Sequence, residues 1–206
     1  MKKQSLVLIL VALFMGVTAT GFSQVRFGIK AGLNLADLKF SGLGETSTKM
    51  LPTYMVGGVV EFDFAENLGL GVGLQLHGKG AKDGTDGSDA SISLGYLQVP
   101  VMLQYRNSGF FAGVGPYAAF GIFGKAKEGG DSEDISFGSG AEDDLSALDF
   151  GAGIELGYEF SNLRATASYS LGLANGIPKD QRIDGFDASI KNNVIGIALA
   201  YLFGGE

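Results

Sequence analysis

Residues 67–77 read NLGLGVGLQLH, a stretch in which large apolar residues alternate with glycine, glutamine and histidine. Successive side chains of a β-strand point to opposite faces, so a strand here has two unlike sides. One side carries large apolar residues only, namely Leu68, Leu70, Val72, Leu74 and Leu76. The stretch predicts a β-strand with one apolar face and one face made mostly of glycine.

The same period-two alternation recurs over eight segments, with a less clear register in the fifth. The segments are residues 25–35, 53–64, 67–77, 95–106, 110–123, 148–159, 163–173 and 194–203. Short connections alternate with long polar ones: 65–66, 107–109 and 160–162 are short, and 36–52, 78–94, 124–147 and 174–193 are long. This alternation is typical of membrane barrels with both termini in the periplasm. The sequence predicts an all-β, eight-stranded antiparallel up-and-down transmembrane β-barrel.

The glycine-rich faces favour a membrane barrel over a soluble, lipocalin-like one. A soluble barrel turns its large apolar side chains inward and its polar side chains to water, but glycine offers water no side chain. Glycine does suit the crowded interior of eight strands. The larger residues on these faces are charged or amide-bearing and would pair inside: Arg26, Lys30, Glu61, Asp63, Gln75, Gln98, Gln104, Asp149, Glu155, Glu159 and Arg164. Only 18% of the chain is charged, against about 25% in soluble domains.

Aromatic residues cluster beside the short connections and at the end of the last segment. They are Phe62, Phe64, Tyr105, Phe110, Tyr158, Phe160, Tyr201 and Phe203, while Tyr54, Phe120, Phe123 and Phe150 lie nearer the long connections. Aromatic belts mark the two interfaces of a membrane with water. We therefore expect the first set at one rim of the barrel and the second set at the other.

The N-terminus predicts a signal peptide over residues 1–23, followed by a barrel domain over 24–206. Lys2 and Lys3 precede an apolar run at 6–17, which is shorter than the roughly 20 residues of a membrane-spanning helix. Cleavage after Ala19 or after Ser23 both fit, and the second is preferred. The net charge of −7 argues against nucleic-acid binding, and the absence of cysteine excludes disulfides.

Several of these strands resemble the PorT-like outer-membrane β-barrel proteins of Bacteroidota. The resemblance is carried by FGIKAGLNLADL, YLQVPVMLQY, GPYAAFG, GAGIELGYEF, YSLGLANG and the closing IALAYLF. It implies an eight-stranded outer-membrane barrel inserted by the general assembly machinery, with the aromatic last strand as part of its signal. The founding member is tied to protein secretion. The resemblance brings no catalytic residue with it.

Three features are candidates for chemistry, and none predicts a catalytic, cofactor or metal site. His77 could serve a lipid-modifying barrel enzyme, yet it is expected to point inward at the rim, and nothing fixes a serine beside it. Asp83, Asp86 and Asp89 could hold calcium, but their spacing does not fit an EF-hand loop. The 124–147 connection carries an acidic excess that fits a solvated loop or a partner-binding surface.

The sequence therefore predicts a small non-enzymatic barrel of the cell outer membrane, without cofactors, with a structural or loop-mediated binding role. The alternatives are a narrow pore or secretion-associated component, a lipid-modifying enzyme and a soluble carrier. Expected partners are outer-membrane lipids, the barrel assembly machinery and an envelope or extracellular partner of the long loops. We expect a monomer.

Overall fold

The fold is a closed antiparallel barrel of eight strands, as the sequence predicted. A computed structural model describes residues 25–42, 47–182 and 187–204, so the predicted signal peptide and both cleavage positions lie outside the described residues. The barrel strands are β1 (Val25–Ser41), β2 (Leu51–Ala65), β3 (Leu68–Asp83), β4 (Ser91–Asn107), β5 (Phe110–Glu128), β6 (Leu148–Phe160), β7 (Leu163–Gly172) and β8 (Ser189–Phe203). Each strand pairs with its sequence neighbours, and β8 pairs with β1 to close the ring.

The barrel wall separates an apolar outer face from a polar interior, in the register that the alternation predicted. Outward side chains such as Ile29, Leu33 and Ile197 are more than 60% exposed. Inward side chains such as Lys30, Asn34 and Glu61 are less than 10% exposed. Because the large apolar residues are outside, the surroundings that suit this barrel are hydrocarbon rather than water. No helix among the described residues is long and apolar enough to cross a membrane.

The two ends of the barrel differ in their connections. At the short-turn end, tight hairpins join β2 to β3, β4 to β5 and β6 to β7. Ser108 and Ser161 have positive φ, and Gly109 beside Ser108 does too, as tight hairpins require. Of the eight aromatic residues predicted for this rim, all but Phe62 are exposed. Among them, Tyr158 and Phe160 pack with ring centroids 4.6 Å apart. We call the opposite end the long-loop end.

At the long-loop end the strands run further than the sequence predicted. β1 continues to Ser41 instead of residue 35, β3 to Asp83 instead of 77, and β5 to Glu128 instead of 123. β4 and β8 likewise begin earlier, at Ser91 and Ser189. The predicted ends were wrong because these stretches carry polar residues or glycine at the outward positions, where the pattern of a lipid-facing strand requires large apolar ones. Their backbones nevertheless continue the hydrogen-bonded ladders.

A β-bulge explains why the register of the fifth segment was unclear. Tyr96 pairs with Gly121 and Gly95 with Phe123, which leaves Ile122 as an extra residue in β5. Ile122 and Phe123 are each 49% exposed, so two successive residues both face outward. The alternation therefore shifts by one at this position, and no single period-two pattern describes the strand.

Candidate functional site

The short-turn end of the lumen is filled by an ion-pair cluster centred on Glu61. Its carboxylate accepts hydrogen bonds from Arg26 at 2.8 Å, Arg106 at 2.8 Å and Arg164 at 2.5 and 3.0 Å. The side-chain amide of Gln104 donates a further bond at 3.0 Å. A buried carboxylate is stable only when its charge and lone pairs are matched, and here three guanidinium groups do this.

Two further acids balance the three arginines of the Glu61 cluster. Glu159 accepts from Arg26 at 2.5 Å and from Arg164 at 2.6 Å, and Asp63 pairs with Arg106. The Arg164 guanidinium also lies 4.0 Å from the ring centroid of Phe111. Three arginines and three acids leave the cluster formally neutral, so this end of the lumen is closed without a net charge.

A second and a third ion pair continue along the lumen toward the long-loop end. Lys30 donates to Glu155 at 2.5 Å. Further along, fully buried Lys79 donates to Asp149 at 2.7 Å, and Asp149 also accepts from Asn192 at 3.1 Å. The Lys79 ammonium lies 4.3 Å from the ring centroid of Tyr117, whose hydroxyl donates to Asp149 at 3.3 Å.

Two small chambers lie between these ion pairs. One is lined by Glu61, Gln104 and Thr166, the other by His77, Gln98 and Ser168, and Gln75 and Glu155 border both. Each leaves about 20 Å³ for the centre of a water molecule. That is room for one or two waters. Neither chamber is large enough to pass a solute.

A hydrophobic cap closes the long-loop end of the lumen. Ile135, Phe137 and Leu145 from the third long loop pack on a buried cluster of Leu94, Tyr96, Tyr117 and Ala119. The rings of Phe137 and Tyr96 meet edge to face, with centroids 5.5 Å apart. A side chain at Gly121 would overlap the Phe137 ring, so this glycine makes room for the cap.

Hydrogen bonds hold the capping loop in place. The Asp144 carboxylate accepts from the Ser136 backbone N–H at 2.7 Å and from its hydroxyl at 2.8 Å. These bonds hold the pKa of Asp144 below its ordinary value. From the fourth long loop, Gln181 donates to the carbonyl oxygens of Ala141 and Asp143. The third loop is thus a folded lid joined to its neighbour, rather than the wholly solvated loop that its composition allowed.

In the structure, His77 lies in the interior of the barrel and not at the rim, where the sequence predicted it. It is 4% exposed, and its Nδ1 lies 3.4 Å from the side-chain nitrogen of Asn34. β3 continues for six residues beyond it, to Asp83, which is why the rim position was wrong. The inward direction agrees with the prediction. A buried imidazole inside the wall cannot reach lipid, so the geometry gives it no access to a membrane substrate.

Two of the three aspartates considered for calcium, Asp83 and Asp86, make separate contacts. Asp83 accepts from the backbone N–H and hydroxyl of Thr85, each at 3.0 Å, and Asp86 pairs with Lys49 at 3.0 Å. Across residues 25–42, 47–182 and 187–204, no group of three or more His, Cys, Asp or Glu side chains is placed to hold a metal ion.

Sequence reasoning missed the cap and the buried Lys79. Lys79 was assigned to a long connection. It nevertheless continues the period-two spacing of the inward residues Gln75 and His77, and this spacing could have predicted its inward position. The contact between Phe137 and Tyr96 has no such signal, because the two residues are far apart in the chain.

Comparison with known proteins assigns the family. The model of the outer membrane protein beta-barrel domain matches residues 18–177. The chain belongs to this family. As an outer membrane protein beta-barrel domain, it lies in the outer membrane, and the apolar outer face described above is its lipid-facing surface. The comparison with curated proteins finds no match.

Solved outer-membrane barrels share the fold at low sequence identity. Neisserial surface protein A is 9% identical, with 86% of this chain and 97% of that chain covered and a TM-score of 0.51. Ail, the attachment invasion locus protein of Yersinia pestis, is 14% identical over 87% and 99% of the two chains, with a TM-score of 0.47. At 9% identity, the likeness to Neisserial surface protein A concerns the fold alone.

Proposed function

We propose that this outer-membrane barrel is non-enzymatic and acts through its folded long-loop end, in a structural or binding role in the cell envelope. The observation that carries the proposal is the closed lumen. The Glu61 cluster fills one end, the Lys79–Asp149 pair crosses it further along, and the Phe137 cap covers the other end. With no solute path, the surfaces left for function are the lipid-facing wall and the long loops.

We also propose that the chain is a PorT-like barrel of Bacteroidota. The strands that resemble PorT-like barrels of Bacteroidota, such as FGIKAGLNLADL in β1, form barrel wall. We assign the chain to that group on this resemblance, with a signal peptide over residues 1–23, short turns in the periplasm and the long-loop end outside the cell. The barrel assembly machinery would insert it, and it would remain a monomer.

A conductance measurement tests the closed-barrel role. Purified protein in planar bilayers is expected to give no steady conductance, because two charged clusters and the cap block the lumen. A steady channel from pure protein would favour the alternative, a narrow pore or a secretion-associated component.

A loop exchange tests whether the long-loop end carries the function. The test uses a strain that lacks the protein and measures whether a variant corrects the envelope defect of that strain. A variant with residues 128–144 replaced by a two-residue turn is expected to insert into the outer membrane but not to correct the defect. The matched control keeps the loop and neutralises only Asp131, Glu133 and Asp134. Full restoration by the trimmed barrel would show that the third loop is dispensable and would contradict the proposal.

A further inference from the structure

Two lysines face each other on the outer surface just beyond the lipid-facing band. In β1, Lys39 follows exposed Leu35 on the outward face, and in β8, Lys191 precedes exposed Ile195 on the same face. The β1–β8 ladder is unbroken over this region and places Lys39 directly opposite Lys191. Directly opposed residues of antiparallel strands have Cα atoms about 5 Å apart.

Like charges in directly opposed positions destabilise a sheet unless an anion lies between them. Asp37 lies two positions below Lys39 on the same face, opposite Asn193. Its carboxylate accepts the backbone N–H of Leu38 at 2.9 Å. Among the residues that the structure describes, neither Lys39 nor Lys191 has an ion-pair partner. The pair therefore presents positive charge to its surroundings.

A second group of lysines continues the same outer face around the barrel. Lys82 in β3 lies opposite Ser91 in β4, and Ser91 lies opposite Lys127 in β5, so the three residues form one row. Lys49 lies opposite Lys82 and pairs with Asp86 at 3.0 Å, while Lys125 pairs with Asp134 at 3.4 Å.

These six lysines form what we call the lysine arc: Lys39, Lys49, Lys82, Lys125, Lys127 and Lys191. On the outward face, the described residues place three acids against it, Asp37, Asp86 and Asp134, so that face carries 6 − 3 = +3. Four further acids lie on the opposite face of the same strands: Asp83, Glu128, Asp131 and Glu133. The whole chain has a net charge of −7. The outward face of the arc is thus positive, although the chain as a whole is acidic.

The height of the lysine arc corresponds to the headgroup layer of a membrane. In β5 the outward order is Phe120, the Ile122–Phe123 bulge, Lys125 and Lys127. The Phe123 ring lies over Gly95, directly below Ser93 and Lys125. Aromatic side chains sit at the interface of a membrane, and lysines just beyond them reach the charged headgroups.

We propose that the lysine arc binds the phosphate groups of lipid headgroups in the adjoining leaflet of the outer membrane. The arc lies on the sideways-facing wall, continuous with the lipid-facing band, which favours a lipid over a soluble acidic protein. The inference rests on the barrel's place in the membrane and, for lipid A as the ligand, on the proposed position of the long-loop end outside the cell. It is independent of the proposed role of the loops.

Lipid retention by the folded protein in detergent tests the proposal. The variant K39Q/K82Q/K127Q/K191Q removes the four lysines of the arc that have no ion-pair partner among the described residues. The probes are diphosphorylated lipid A and phosphatidylcholine, counted as bound molecules by native mass spectrometry. Wild type is expected to retain lipid A, and the variant to bind it at least about tenfold more weakly.

The charge-retaining variant K39R/K82R/K127R/K191R should retain lipid A. Ser91→Lys, which adds a lysine between Lys82 and Lys127, should strengthen retention.

Unchanged lipid A retention by the glutamine variant would overturn the proposal. Competition by inorganic phosphate at equal concentration would also overturn it, since the site would then bind free phosphate rather than a headgroup. Folding is checked by heat-modifiable migration. If the fourfold variant does not fold, the pairs K39Q/K191Q and K82Q/K127Q are measured separately, each with its arginine counterpart. Failure of the proposed loop function would leave these outcomes unaffected.

Discussion

Glu61 is the residue on which the packing of the short-turn end depends. It is 1% exposed and accepts hydrogen bonds from three arginines that come from three different strands. The inward position of each of these residues could be predicted from strand parity. Their pairing could not, because parity says which face a residue occupies but not which inward side chains meet across the lumen.

Replacing Glu61 with glutamine should strongly destabilise the barrel. The change leaves three buried guanidinium groups with two acids, and breaking one partner of a buried ion pair costs about 3–5 kcal/mol. Urea unfolding in lipid vesicles measures the decrease in the free energy of unfolding. Asp63→Asn is the matched control, because Asp63 is 30% exposed and pairs with Arg106 alone. Equal losses of unfolding free energy in the two variants would show that Glu61 contributes no more to stability than Asp63.

Acid should loosen the capping loop through Asp144. Hydrogen bonds from Ser136 lower the pKa of Asp144 from its ordinary 3.8 in the folded loop. A lowered folded pKa means that the stabilisation is present above the ordinary pKa and is lost as pH falls through the folded value. The Ser136 amide signal in an NMR titration should therefore change with a midpoint below 3.8. In Asp144→Asn this transition should be absent; a transition that persists would assign it to another group.

At the scale of elements, the sequence predicted the two faces of the strands but not where they end. Inside the hydrocarbon layer, lipid imposes a sharp alternation, as in β6, where Phe150, Ile154 and Leu156 all face outward. Beyond that layer no lipid requires this alternation. There β3 continues through Gly78 and Gly80, and only the inward positions of Lys79 and Ala81 indicate a strand. The cap is less predictable still, since it depends on contacts between a loop and distant strands.

Replacing Phe137 with alanine should release the cap while leaving the barrel intact. The ring is partly buried against Tyr96, so its loss should cost about 1–2 kcal/mol locally. Limited proteolysis is expected to cut residues 128–147 faster in the variant, with unchanged heat-modifiable migration. Phe64→Ala, on the lipid face at the opposite end, is the control and should leave the cleavage rate unchanged. No difference between the two variants would show that the ring does not hold the loop.

At the scale of the whole molecule, the barrel is closed by β8 on β1 and filled by its own side chains. The ring of eight antiparallel strands and its apolar exterior followed from the sequence, because both depend on local period and on the lengths of connections. The neutrality of the interior follows from three separate ion-paired groups, and these appear only when the strands are placed around one axis.

The intact protein should behave as a closed membrane barrel in detergent. Without heating, it is expected to migrate faster in gel electrophoresis than after boiling, because the closed ladder resists detergent until heat opens it. Its circular dichroism spectrum should be rich in β-structure and lose that signal on boiling. A helical spectrum, or identical migration before and after heating, would refute the architecture.

The unequal lengths of the ladders around the barrel set where the wall would yield under sideways force. The β1–β8 ladder runs from Phe27 and Phe203 to Ser41 and Ser189, whereas the β7–β8 ladder runs only from Leu163 and Tyr201 to Leu171 and Asn193. Fewer backbone hydrogen bonds must break to part β7 from β8. Mechanical pulling should therefore open the ring there first and leave the contact between its first and last strands whole.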